Sequence, residues 1–261
     1  MNENKEILPD IKNIKSQETY TLPSKGLVYK PEDGIPSAIT LRRMTTREDK
    51  MRLRNQTEDR TRKDILQACI LDKDVDAGKL KLMDANFLLF RLRALSLLDD
   101  TYKVSCRCQN CGTEFIHKLN LSEVPIEYFS EDNLDNMSCI LPISNMKIDF
   151  KLPSLDDIIL MGDTIRDYMN KFPEADMGEV IYAITPVLYV DKVNNTSMLK
   201  EQVEDLLDKL DILDSRALSD RLNGIDNSYG FSDDIKTICP NCKSEVSHGL
   251  PITRELFTPS K

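Results

Sequence analysis

Cys108-Gln109-Asn110-Cys111-Gly112-Thr113-Glu114-Phe115-Ile116-His117-Lys118-Leu119-Asn120-Leu121 recurs without a gap as Cys239-Pro240-Asn241-Cys242-Lys243-Ser244-Glu245-Val246-Ser247-His248-Gly249-Leu250-Pro251-Ile252. Each copy reads as a C-x2-C knuckle followed by an alternating strand. A tetrahedral zinc takes four soft ligands, and a tight turn lets one C-x2-C supply two of them from one hairpin. One copy is therefore half a site. The two together predict a zinc ribbon with one structural zinc on Cys108, Cys111, Cys239 and Cys242. A lone C-x2-C is weak evidence; here Asn precedes the second Cys, Glu follows it by three and His by six in both copies. The competing readings are reduced core cysteines and a redox C-x2-C, which would want a thioredoxin-like βαβ setting that the pattern lacks. Seven cysteines, an odd number, without a secretory signal disfavour a disulfide framework.

Three more residues compete for the site. Cys106 lies two before Cys108, on the same strand face, and is either a substitute ligand or an ordinary strand residue. His117 and His248 are the only histidines and occupy equivalent places. They could each replace a Cys, donate to a zinc-bound sulfur, or match only because the two halves are alike. Glu114 and Glu245 read as solvent-facing members of their strands, and Cys69 and Cys139 as packed thiols. No G-x-S-x-G, H-E-x-x-H, Walker-type or G-x-G-x-x-G pattern is present. Four Cys on one ion leave no open position for water, so the metal reads as structural and the protein as no enzyme.

Around this pair the chain divides into five stretches, an α+β arrangement. Residues 1–20 are polar and aperiodic and read as a flexible arm. Residues 21–100 hold a turn, a strand and helices. The turn, Leu22-Pro23-Ser24-Lys25-Gly26-Leu27-Val28-Tyr29, reads with the arm as a partner-docking segment. Ile39 to Arg43 follows as a strand, then a helix over 46–56 opened by the capping box Thr45 to Glu48, then one over 58–71. Asp84 is placed to cap a mostly buried helix through Phe87, Leu88, Phe90, Leu92, Leu95 and Leu98. Residues 101–125 form the first ribbon half and 232–261 the second, with a tail. The stretch between, 126–231, is too long for a loop and reads as a mostly helical insertion. It holds a strand at Met146 to Leu152, a helix capped by Ser154, a helix from Met177 until Pro186, and one amphipathic stripe from Leu199 to Leu213.

Composition narrows the function. Of 261 residues, 40% are apolar, enough for a core. The longest uncharged apolar stretch, Val180 to Val190, is too short to cross a bilayer, which leads us to expect a soluble protein made in the cytoplasm with no membrane contact. Thirty-five basic against 44 acidic residues give a net charge of -9, which opposes binding to a phosphate backbone. Charge is uneven: Leu41 to Lys63 carries nine Arg or Lys against four acids, and Lys200 to Asp214 six acids against two Lys. The basic run is either a solvated helix face or a docking patch for an acidic partner. A nucleic-acid-associated zinc ribbon is the alternative function, weakened by few basic residues at the knuckles and no Trp for base stacking.

The order of these landmarks resembles a phage family. Leu22 to Tyr29, Arg42-Arg43-Met44-Thr45-Thr46-Arg47-Glu48 at a strand-to-helix junction, Phe150-Lys151-Leu152-Pro153-Ser154, the split knuckles and the closing Leu250-Pro251-Ile252 are similar to baseplate hub assembly proteins of T-even-like contractile-tailed phages. The resemblance spans most of residues 20–258. It implies a non-enzymatic protein that contacts other baseplate or hub proteins, takes no small-molecule substrate, and works in the host cytoplasm during assembly or within the tail of the virion. Cys106 and the long polar arm depart from the family pattern.

Overall fold

The computed structural model describes residues 16–53, 57–226, 229–232, 234–252 and 256–258. Most of the expected arm, residues 1–15, lies outside them. Its end does not behave as an arm: β1 (Gln17–Thr21) pairs antiparallel with β2 (Ala38–Arg42), Tyr20 opposite Ile39. The ladder occupies the backbone of Gln17 to Tyr20, and the Tyr20 ring stands edge-on to Phe87.

The turn after β1 is a core anchor. Leu22 and Ser24 are fully buried and Pro23 is buried. The Ser24 N–H donates to Asp84 Oδ1 at 3.0 Å and the Tyr29 hydroxyl to Asp84 Oδ2 at 2.7 Å, while the Lys81 N–H donates to Tyr29 Oη at 2.9 Å. Gly26 takes φ +81°, where a side chain would be strained. The docking reading of Leu22, Pro23, Ser24 and Tyr29 is thus corrected: a buried carboxylate is tolerable only with hydrogen bonds, and this turn supplies them. Lys25 and Leu27 are its exposed corner. Asp84 caps nothing. Helix α3 begins at Leu82 with Lys81 at its cap position, and burial pushes the Asp84 carboxyl up.

α1 (Thr46–Asp49) has the expected capping box from Thr45 and Glu48 but lasts one turn, passing into a 3-10 turn over Lys50–Leu53. α2 (Glu58–Cys69) is capped by Thr57, and α3 (Leu82–Leu97) is apolar on nearly all sides and buried over most of them, with Asn86, Arg91 and Ala94 half-buried. Acids of this fold neutralise much of the basic run: Arg42 pairs with Glu48, Arg52 with Asp49, Arg62 with Glu58 and Asp59, Lys63 with Asp156 and Arg60 with Asp163. That leaves fewer free cations for the docking-patch alternative, because these five are already engaged.

β3 (Thr101–Arg107) and β4 (Glu114–Asn120) form the first knuckle hairpin. The chain then enters its middle stretch through β5 (Ile126–Glu127) and a short α4 (Glu131–Leu134). β6 (Ser138–Ile140), β7 (Lys147–Phe150), α5 (Leu155–Lys171), α6 (Met177–Tyr189), β8 (Val190–Val193), β9 (Thr196–Ser197), α7 (Lys200–Leu207) and α8 (Ile212–Asp226) follow. β10 (Gly230–Phe231) pairs antiparallel with β5, so the chain leaves and returns at one point. β11 (Ile235–Ile238) and β12 (Glu245–His248) make the second hairpin.

The middle stretch holds more sheet than the mostly helical expectation. β6, β7, β8 and β9 form a four-stranded antiparallel sheet, the largest among the described residues. α6 continues three residues beyond Pro186, whose carbonyl still accepts the Val190 N–H. The Leu199–Leu213 stripe is two helices, broken where Asp211 accepts the Leu213 N–H and starts α8.

There are two apolar cores. The first gathers β1, β2, α2, α3 and both knuckle hairpins; the second gathers Phe129, Ile148, Phe150, Leu188, Leu218 and their neighbours from the middle stretch. Backbone bonds tie the middle stretch to the first core, Leu82 N–H to Pro153 O at 3.1 Å and Leu155 N–H to Leu80 O at 2.9 Å. No described helix is long and apolar enough to cross a membrane.

Candidate metal centre

Each knuckle is a backbone loop that turns its sulfurs to one side. In the first, the Cys108 N–H donates to Thr113 O and the Gly112 N–H to Cys108 O, both at 2.9 Å. In the second, the Cys239 N–H donates to Ser244 O at 2.9 Å and the Lys243 N–H to Cys239 O at 3.1 Å. The loop needs a left-handed residue after its second Cys. Gly112 provides it at φ +71° and Lys243 at φ +64°, matching positions of the repeat.

The two knuckles meet tip to tip. The sulfurs of Cys108, Cys111, Cys239 and Cys242 all lie within 4.8 Å of one another. Cys108 Sγ is 3.5 Å from Cys242 Sγ, and Cys111 Sγ 3.7 Å from Cys239 Sγ. A tetrahedral ion with metal–sulfur bonds of about 2.3 Å sets its sulfurs about 3.8 Å apart, so the cluster fits one such ion. All seven cysteines are free thiols. Cys108 and Cys239 are buried, Cys242 is half-buried and Cys111 is exposed.

The electrostatics favour ligation at two positions and ask for a cation at a third. The Ser244 hydroxyl and backbone N–H hold the Cys242 thiol down to about 5, and the Thr113 hydroxyl and N–H lower Cys111. Cys108 moves up to about 11: the Cys111 N–H favours its thiolate, but burial and sulfur contacts with Cys242 and Cys111 outweigh it. Four sulfurs this close cannot all ionise unaided, and a bound cation removes the repulsion.

In the sequence the Asn before each second Cys marked the repeat, but the polar side chains that lock the tips had no role assigned. Asn110 Nδ2 donates to Ser244 Oγ at 3.0 Å, and Asn241 Nδ2 to Thr113 Oγ1 at 3.2 Å. Asn110 matches Asn241 and Thr113 matches Ser244, so each knuckle gives the other the same bond. The signal was there, since Asn and a hydroxyl recur in both copies.

Cys106 is outside the cluster, buried in the first core with its Sγ 3.7 Å from the Val104 carbonyl. His117 and His248 touch each other. Their rings stand edge to face at 5.0 Å, with His117 Nδ1 2.8 Å from His248 Nε2. His248 Nδ1 is 2.7 Å from Gly249 O and must carry the proton, which leaves its Nε2 to accept from His117 Nδ1–H. Glu114 and Glu245 are exposed, Glu245 pairing with Lys236. Cys69 is a packed thiol that burial pushes up to about 12.

Residues 15–258 match the family described as T4 bacteriophage base plate protein. The chain belongs to that family. The match covers both knuckle hairpins and the whole middle stretch, so the centre lies within what the family shares in extent. Membership makes this a structural protein of the phage tail baseplate, a component of the virion tail that works among other phage structural proteins. No curated protein and no solved structure matches the chain.

Proposed function

We propose that this baseplate protein belongs to the central hub, as a component or as the factor that assembles it, and that one zinc on Cys108, Cys111, Cys239 and Cys242 completes a ribbon split across the chain. The observation that carries the zinc reading is the meeting of four sulfurs from two distant knuckles, while the hub placement rests on the sequence resemblance. Four thiolates select a soft, tetrahedral ion and leave it no open coordination position, so the ion ties and does not react. The Thr113 and Ser244 hydroxyls orient sulfurs, and the Asn110 and Asn241 amides hold the knuckles in register.

Contacts with other proteins are the proposed mode of action. From the 22–29 turn, the exposed Lys25 and Leu27 are what is left to offer a neighbour. Nucleic acid is not the proposed partner, given a net charge of -9 and a basic run engaged with internal acids. The test has two arms. Metal analysis of the purified protein is expected to give one zinc per chain, and Cys242→Ser to lose it; no zinc, or zinc retained by the variant, refutes the ligand set. Mass spectrometry of hub and outer-baseplate intermediates is expected to find the protein only in the hub, and recovery in outer intermediates alone refutes that placement.

A further inference from the structure

The negative charge of this protein is concentrated in one part. Residues 126–231 carry 21 Asp or Glu against nine Arg or Lys, whereas the rest of the chain carries 23 against 26. Within the middle stretch, α5 and α6 form a helical hairpin whose turn projects. From Arg166 to Glu179 every residue except Met169 and Ala175 is exposed. The turn is well formed, closed by the Ala175 N–H on Phe172 O and by Asp176, which caps α6 through the Glu179 N–H.

That tip is apolar where a solvated turn would be polar. Tyr168 is 43% exposed, Phe172 46%, Met177 52% and Ile181 40%, and none of them joins either core. The Tyr168 and Phe172 rings lie 4.9 Å apart and make one patch. The same exposed turn carries Asp167, Glu174, Asp176 and Glu179 against Arg166 and Lys171. Exposed aromatic and Met side chains gathered in one turn beside charged ones are the make-up of a protein interface.

We propose that the α5–α6 tip is a docking surface for a basic, apolar-faced segment of another baseplate protein; the class of partner rests on the baseplate reading. Charge selects the occupant. The excess of acids in this turn attracts Lys and Arg and repels acidic surfaces, and tip-to-tip pairing of two copies would bring like charges together. The aromatic patch supplies the area that holds the segment once it has arrived.

The test places the photo-reactive p-benzoylphenylalanine at Phe172 of the full chain in infected cells, with the same group at exposed Ile140 as control. Mass spectrometry should find Phe172 joined to a Lys/Arg-rich, apolar segment of another baseplate protein. Charge reversal by Glu174→Lys with Glu179→Lys should lower that yield about fivefold or more while circular dichroism stays unchanged. A product with a second copy, a product with an acidic segment, a yield no higher than at Ile140, or indifference to charge reversal overturns the proposal. Recovery of the protein in baseplate intermediates is scored separately: its absence refutes the baseplate reading and the partner with it, whereas recovery without the Phe172 product refutes the docking surface alone.

Discussion

The knuckle joint and the middle stretch are held together by different forces. The joint unites two hairpins of two strands each, and such hairpins are marginal alone in water. They meet through sulfurs, two Asn–hydroxyl bonds and one His–His bond, and both also reach the first core, through Tyr102, Val104, Cys106, Cys108 and Leu119 of one hairpin and Cys239 and Val246 of the other. The middle stretch has a four-stranded sheet, helices packed around it and a core of its own. The tips of the joint thus depend on a few directional bonds, while the middle stretch, about a hundred continuous residues, has a core of its own to draw on.

Removing the proposed metal is the sharpest way to break that contrast. A structural zinc supplies about 10–16 kcal/mol of apparent binding free energy, comparable to the net stability of a domain. Chelation, or Cys242→Ser, should release amide protection in β3, β4, β11 and β12 while α5 to α8 stay protected. Hydrogen exchange reads this directly, and equal loss in both regions would mean that the middle stretch leans on the metal too. The converse is Phe150→Ala, which opens a cavity in the second core and should cost about 3–5 kcal/mol in urea unfolding with metal content unchanged.

A smaller effect probes the anchor between turn and helix. Asp84→Ala leaves the Ser24 N–H and the Tyr29 hydroxyl without their acceptor, on the order of 1–3 kcal/mol for each stranded donor. The loss should appear in thermal unfolding and should exceed that of a change at exposed Lys25. Were the two equal, the 22–29 turn would be a surface feature after all.

The smallest effect belongs to the histidine pair. Burial, and then the charge of His248, lowers the His117 pKa, so the folded state binds fewer protons than the unfolded chain. Stability from this group is therefore present above the unfolded value of about 6.5 and drains away as pH falls toward the lower folded value. His117→Ala should lose about 1 kcal/mol at pH 7.5. His117→Asn, which can donate from a similar place, should keep most of that and show a shallower loss between pH 7.5 and 5.5 than the wild type. Parallel pH curves for wild type and His117→Asn would remove the His–His bond from the list of joint contacts.

Local chemistry was written in the residues. The knuckles, the capping boxes at Thr45 and Ser154 and the alternation of β3, β4, β11 and β12 follow from side chains and turns within a few positions, and the gapless repeat gave the four Cys because a metal demands its ligands in sets. What depended on distant partners was not legible. Asp84 looked like a cap because a carboxylate near a helix start does that in isolation; only the fold places Ser24 and Tyr29 against it. Leu22 looked free to dock because nothing local shows the first core closing over it. The His–His bond and the reciprocal Asn bonds lie between residues more than a hundred positions apart, where sequence can state equivalence but not contact. Short-range geometry was fixed by the order of residues, and burial and pairing were decided by which surfaces the tertiary structure brought together.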